Sequence, residues 1–389
     1  MPPFTQRVSH MEPEGAYAVL AKAQALEAKG REIIHFEIGE PDFDTYPNVA
    51  LAGIQAISTG KTRYNPPCGI PALRKVLADD AGQRRGVRFT PEQVVIGPGT
   101  KPFMILPMLA ILEPGDEVIY PDPGFPSYGA AISIAGAIPI TVPLLEKHNF
   151  DLDPEVLDTL ISPKTRMIVL NSPANPTGSV LSAETMAHLA DVAIKNDLWI
   201  IADEIYSRFV YDGDAPSIIS LPGMSERTII ADGFSKAYAM TGWRLGYGLM
   251  PEGLADRVGL LLTHSVGCTA TFTQYAGLEA MQNPQDSVDA VRAEFQRRRD
   301  AIVQRLNDIP GVECRMPQGA FYVFPNVQSF KKPSAELAEY LLDEAGIAVL
   351  PGTDFGKCGE GYLRLSYTNA LENIHKGLDR MKDALARLR

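Results

Sequence analysis

The sequence predicts an α/β fold: a large unit with a mostly parallel sheet of seven strands between helices, then a smaller α+β unit. Three observations carry this expectation. Short apolar segments rich in Val and Ile recur between residues 94 and 249. Helical runs separate most of them, which is the pattern of parallel strands joined by crossovers. The pattern then changes, because a long charged helical stretch leads to shorter strands and two further helices near the C-terminus.

The predicted strands of the large unit are 94–97, 117–121, 138–144, 166–170, 198–203, 228–232 and 245–249. Each is an apolar run of strand length bounded by Gly, Pro, Asn or Asp. A helix over 182–196 represents the connecting runs. A charged helix over 290–306 leads out of the sheet, and its Arg297-Arg298-Arg299 run reads as a solvated face. The second unit is expected to hold strands 312–316, 320–325, 347–350 and 362–367, with helices 334–345 and 370–388. The expected division is an N-terminal segment 1–46 packed on the small unit, a large unit 47–285 and a small unit 286–389.

Composition bounds the function. The 389 residues suffice for two domains, and 45% hydrophobic content fits a globular protein. A net charge of −11 argues against nucleic acid or membrane surfaces as partners. Met1 to Arg7 lacks the apolar stretch of a signal peptide, and no segment reaches the length of a membrane span, so a cytoplasmic location is expected. Cys68, Cys268, Cys314 and Cys358 are widely spaced, with no C-x-x-C pair, and read as reduced thiols. The six His residues show no zinc-like spacing.

The most informative segment runs from Asp232 to Gly246, Asp-Gly-Phe-Ser-Lys-Ala-Tyr-Ala-Met-Thr-Gly-Trp-Arg-Leu-Gly. Lys236 lies among small and aromatic residues, a setting that desolvates an amine, lowers its pKa and makes it a nucleophile toward an aldehyde. Arg244, eight residues on, can grip a phosphate by a two-pronged hydrogen bond. An aldehyde that carries a phosphate describes pyridoxal 5'-phosphate (PLP). Upstream, the apolar run 198–202 ends in Asp203, which places an acid at the carboxyl end of a buried strand, where open α/β sheets bind ligands. Taken alone, such an Asp more often ends a strand or caps a helix. The turn Gly97-Pro98-Gly99-Thr100-Lys101 precedes an apolar helix through Leu112, with Pro102 in its first turn. A helix start of this kind favours an anion.

The Lys236 segment closely resembles the internal-aldimine motif of the fold-type I, class I/II aminotransferases. The resemblance, of the aspartate/aromatic aminotransferase kind, spans roughly residues 14–389, with its motifs in the family's order. It implies the PLP-dependent transferase fold of type I and PLP bound through Lys236. In Asp203-Glu204-Ile205-Tyr206, Asp203 then pairs with the ring nitrogen and Tyr206 hydrogen-bonds the ring 3'-oxygen. Asn175, in Asn-Pro-Thr-Gly after strand 166–170, touches the same oxygen. Gly99, Thr100 and Lys101 form the phosphate loop, Phe125 stacks on the ring, and Arg244 holds the phosphate. Tyr64, in Tyr-Asn-Pro-Pro-Cys-Gly, reaches the phosphate of the neighbouring subunit, so the resemblance implies a homodimer with shared active sites. Arg364, in Arg-Leu-Ser, forks the substrate α-carboxylate, and Gly39 belongs to the loop that closes on it. One departure stands out: Gly233 replaces a Ser that in many relatives binds the phosphate, and Ser235 or Thr100 is expected to make that contact.

The implied reaction transfers an amino group between an L-amino acid and a 2-oxo acid by a ping-pong route, with 2-oxoglutarate as the expected acceptor. Lys236 serves as the proton-moving base, and Asp203 keeps the ring protonated as an electron sink. Two alternatives stay open. A carbon–sulfur β-lyase or another lyase on this scaffold would use Lys236 and Asp203 equally. A non-catalytic PLP sensor fused to a DNA-binding domain is disfavoured by the acidic charge and by a resemblance that begins near residue 14. Tyr17, Tyr64 and Cys68 are candidates to shape the side-chain pocket, and Arg63 or Lys101 to meet a distal carboxylate.

Overall fold

The computed structural model describes residue 5, residues 14–213 and residues 216–388. The reading of Met1 to Arg7 therefore lies, apart from Thr5, outside the described residues.

A seven-stranded sheet organises the first two-thirds of the chain. Its spatial order is Val94–Gly97, Gly246–Leu249, Thr228–Gly233, Trp199–Asp203, Thr165–Asn171, Glu117–Asp122, Ile138–Pro143. All strands run parallel except Gly246–Leu249, which is antiparallel to both neighbours. Alternation of side chains across the pleat explains the layers. Ile168, Leu170, Ile200 and Ile230 join a core with Leu73, Leu77, Leu189 and Ala276. Their chain neighbours Met167, Val169, Ile201 and Ile229 face the other way, into a core with Phe103, Met104, Ile132 and Val258. Helices Pro71–Arg85, Ala183–Lys195 and Thr271–Gln282 thus cover one face, and Pro102–Ile111, Ser127–Ala135 and Glu252–Ser265 the other. Strands buried on both faces must be apolar throughout, which is why they read as continuous Val/Ile runs. Truncation of Ile200 or Ile201 to Ala would cost roughly 2–5 kcal/mol.

A third core forms around helix Asp286–Asn307 and helix Leu371–Ala386, with Phe295, Ile302, Phe321, Leu363 and Leu378 at its centre. It contains a three-stranded antiparallel sheet in the order Leu350–Pro351, Leu363–Ser366, Tyr322–Val323. Ile34–His35 of the N-terminal segment pairs in parallel with Ile347–Ala348.

The C-terminal strands differ most from expectation. No strand forms over 312–316; Glu313 makes only an isolated bridge to Asn326. The reason is local: the Asn307 side chain takes both main-chain groups of Cys314, accepting from its N–H at 2.8 Å and donating to its carbonyl at 2.9 Å. The expected strand 320–325 shrinks to Tyr322–Val323, and 347–350 splits into two pieces that pair with different partners. Helix 334–345 is α-helical over Ser334–Tyr340, then widens into a π turn over Leu341–Ala345 that ends at left-handed Gly346.

Candidate active site

The register of the large sheet gathers the site. Asn171 pairs with Asp203 and Asp203 with Ala231, so their strands end together at one edge. The Asn171 side chain ties that edge down: its Oδ1 accepts from the Asn175 N–H at 2.8 Å, and its Nδ2 donates to the Asp203 carbonyl at 3.0 Å. The Asn175 turn is thereby fixed beside the Asp203 strand.

All the residues that the resemblance assigns to the cofactor or the α-carboxylate, except Gly99 and Tyr64, line one cleft of about 590 Å³. On its floor Asp203 is buried, accepting from the Tyr128 hydroxyl at 2.8 Å and from the Ile205 N–H at 3.2 Å. Burial still dominates and pushes its carboxyl up to about 7. The Lys236 amine donates to the Gly39 carbonyl at 2.6 Å, and burial pushes it down to about 8. The Tyr206 hydroxyl lies 2.8 Å from that of Tyr322.

At one end of the cleft, helix Pro102–Ile111 begins after Gly99, Thr100 and Lys101. Three glycines let the chain cross itself there. A Cβ at Gly99 would stand 2.3 Å from Arg244 Nη2, and one at Gly246 would stand 2.4 Å from the Gly99 carbonyl carbon. One at Gly233 would stand 2.8 Å from Thr100 Oγ1. Thr100 therefore occupies the space that a side chain at 233 would need, while Ser235 also lines the cleft. Arg244 holds its own backbone in the left-handed region, with φ at 54°, and donates to the Thr241 carbonyl at 3.0 Å. The Lys101 amine pairs with the Glu14 carboxylate and lies 5.4 Å from the centre of the Phe125 ring.

At the other end, Arg364 is buried on strand Leu363–Ser366. One arm donates to the Glu37 carbonyl, and its Nε has no hydrogen-bond partner among the described residues. Burial lowers its pKa, and Tyr322, Tyr206 and Glu37 oppose that shift. Asn175 Oδ1 is likewise buried without a partner. Both residues line the cleft, and buried polar atoms left unmatched are costly unless a ligand meets them.

Tyr64 is 97% exposed, away from the cleft of its own chain. Tyr17 lines the cleft, but Cys68 and Arg63 do not. Cys68 packs instead against the helix at Gly259, where an added Cβ would stand 2.4 Å from its Sγ. Sequence reasoning missed Tyr128 and Tyr322. No local signal marked either: Tyr128 lies in the first turn of helix Ser127–Ala135 and Tyr322 on the two-residue strand Tyr322–Val323. Glu204, to which no role was carried over, is buried against Arg85, with Oε2 2.7 Å from Nη2.

An α/β fold that brings a desolvated lysine, a buried acid and a buried arginine with an unpartnered Nε to one cleft defines an enzyme class that handles carbonyl and carboxylate chemistry. Comparison with known proteins agrees. Residues 31–381 match the family "Aminotransferase class I and II". The chain is 40% identical to a probable aspartate/prephenate aminotransferase of Aquifex aeolicus over 391 residues, 98% of each chain. It is 38% identical to aromatic-amino-acid aminotransferase 2 of Thermococcus litoralis, again over 98% of each chain. The solved aspartate aminotransferase of Thermus thermophilus with maleate superposes with a TM-score of 0.95 at 37% identity, covering 99% of this chain and 100% of that one. The chain belongs to the class I and II aminotransferases. It is a transaminase, moving an amino group between an L-amino acid and a 2-oxo acid.

Proposed function

We propose that this transaminase works with PLP held at Lys236, and that it takes acidic or aromatic L-amino acids with 2-oxoglutarate as acceptor. The observation that carries the reading is one cleft shared by three groups: the lowered Lys236 amine, the raised Asp203 acid and the unpartnered Arg364 Nε. The residues fit the cofactor. Among the described residues Asp203 has no cationic partner at hydrogen-bond distance, which a protonated ring nitrogen would supply. Asn175 Oδ1 lacks a donor, and the helix start at Pro102 with Gly99, Thr100 and Arg244 forms an anion cradle. Phe125 stands at the wall for a ring to stack on.

PLP, when bound, supplies the electron sink for the pair left at the substrate α-carbon. The chain does the rest. The Lys236 Nζ takes and returns the α proton. Asp203 keeps the proton on the ring nitrogen. Tyr206 and Asn175 address the 3'-oxygen. Arg364 orients the α-carboxylate, and the Gly39 loop closes over it to exclude water. Lys101 is the cation proposed for a distal carboxylate, since it lines the cleft and Arg63 does not. The relatives' names, aspartate/prephenate and aromatic-amino-acid, support the substrate range. Tyr64, exposed on its own chain, is assigned to the partner's phosphate in a homodimer. We further assign a cytoplasmic location, and the division at residues 46 and 285; no helix among the described residues is long and apolar enough to cross a membrane.

The test is direct. Borohydride reduction of the purified protein should fix a pyridoxyl group on Lys236, read by mass spectrometry. A donor panel against 2-oxoglutarate and pyruvate should then yield product amino acids. A label on another lysine, or release of ammonia without a product amino acid, would overturn the reading.

A further inference from the structure

Tyr322 is a buried phenol in contact with three residues that line the cleft. Its hydroxyl lies 2.8 Å from the Tyr206 hydroxyl. Its ring carries the Arg364 guanidinium, 4.7 Å from the ring centre. Its Oη rests against Gly39, where a Cβ would stand only 2.0 Å away. Gly39 in turn holds Lys236 through its carbonyl. The residue is 1% exposed, so these contacts are made without water as an alternative partner.

We propose that Tyr322 is a positioning residue that couples the carboxylate end of the cleft to the cofactor end, by supporting the Arg364 fork with its ring and directing the Tyr206 hydroxyl with its own. The geometry leaves two polarities for the hydroxyl pair. Tyr206 can donate toward a cofactor oxygen only when Tyr322 donates to Tyr206. A cation over the Tyr322 ring withdraws electron density and strengthens that donor, so Arg364 favours the working polarity. A carboxylate that neutralises Arg364 weakens the same donor, and Tyr206 then grips the 3'-oxygen less. Ring and hydroxyl therefore have separable tasks: the ring supports Arg364, and the hydroxyl acts through Tyr206.

The inference rests on the proposed assignment of Tyr206 to the 3'-oxygen, and the test separates the two. Tyr322→Phe keeps the ring and removes the hydroxyl; Tyr322→Leu removes both. Maleate binding to the cofactor-free protein, read by calorimetry, should stay within about twofold in Tyr322→Phe and fall about tenfold in Tyr322→Leu, the loss of a buried cation–ring contact. In the loaded enzyme, the pH midpoint of the visible absorption band should rise by about half a unit in Tyr322→Phe, because a weaker Tyr206 donor leaves the 3'-oxygen more basic. That rise should vanish in a Tyr206→Phe background, where the hydroxyl has nothing to direct. If Tyr322→Phe weakens maleate as much as Tyr322→Leu, or shifts the band equally with Tyr206 absent, the coupling is overturned. If Tyr206→Phe alone leaves the midpoint unchanged, the Tyr206 assignment fails instead. Circular dichroism and melting of each variant separate these outcomes from misfolding, and Tyr322→Phe, which loses one oxygen, decides the hydroxyl role by itself.

Discussion

The Gly39 carbonyl accepts a hydrogen bond from Lys236 at 2.6 Å, across 197 residues of sequence. The Gly39 loop thus touches the lysine of the cleft directly. An acceptor stabilises the charged amine, yet burial prevails and the amine is lowered to about 8.

The first expectation follows from that value. Reaction of the cofactor-free protein with PLP requires the neutral amine, whose fraction grows as pH rises through 8. The rate should climb with an apparent pKa near 8, against about 10.4 for an ordinary lysine. Stopped-flow absorbance measures it, and a midpoint above 10 would contradict the burial argument. Lys236→Ala should fold but lose turnover.

Asp203 gives the opposite sign. Its folded pKa, about 7, lies above the usual 3.8, so between those values the native state holds a proton that the unfolded chain has lost. Stability of the cofactor-free protein should therefore fall as pH rises from 4 to 7, then level. The shift corresponds to at most about 4 kcal/mol. Asp203→Asn should erase that slope in urea titrations, and the gap between variant and parent should be widest at pH 8.

Carboxylate recognition separates from cofactor binding. Arg364→Ala should weaken every amino and oxo acid by on the order of 2–5 kcal/mol while PLP stays bound. Arg364→Lys should recover only part, since an ammonium lacks the planar fork. Arg244→Ala should lower PLP affinity first. Steady-state kinetics on mono- and dicarboxylic substrates, with PLP titrations, distinguish the cases; loss confined to dicarboxylic substrates would move the carboxylate role elsewhere.

Shared sites predict complementation. Mixing Lys236→Ala chains with Tyr64→Ala chains should restore activity, because one hybrid site receives both native residues. Proven subunit exchange without recovery, with the Tyr64 variant severely impaired, would count against sharing.

Glu204 should matter for folding. Its removal leaves buried Arg85 facing Asp232 at 3.4 Å as its remaining ion pair. Glu204→Ala should cost roughly 3–5 kcal/mol in urea unfolding.

Much of this was legible because the chemistry sits in contiguous motifs at the ends of strands that had to be apolar. Asp203, Asn175 and Lys236 each follow such a run or its turn. The illegible residues act across sequence. Tyr128 meets Asp203 at a separation of 75 residues and Tyr322 meets Tyr206 at 116, and no local pattern encodes either meeting. The false strand at 312–316 had acceptable strand residues but lost its main-chain partners to the Asn307 side chain. Cys68 drew notice through its motif neighbours, yet its thiol fills a helix-packing gap at Gly259.

The glycine crossing at Gly99, Gly233 and Gly246 has a consequence for anyone recruiting this scaffold to new substrates. No side chain can be added there without moving backbone, the Thr100 hydroxyl or the Arg244 guanidinium, so libraries that touch this corner will mostly return dead clones. Tyr17, Leu20 and Ile38 of the N-terminal segment also line the cleft, already carry side chains, and are the place to randomise. The molecule thus offers a fixed chuck and an exchangeable jaw, and selection for altered specificity should accumulate changes on the jaw.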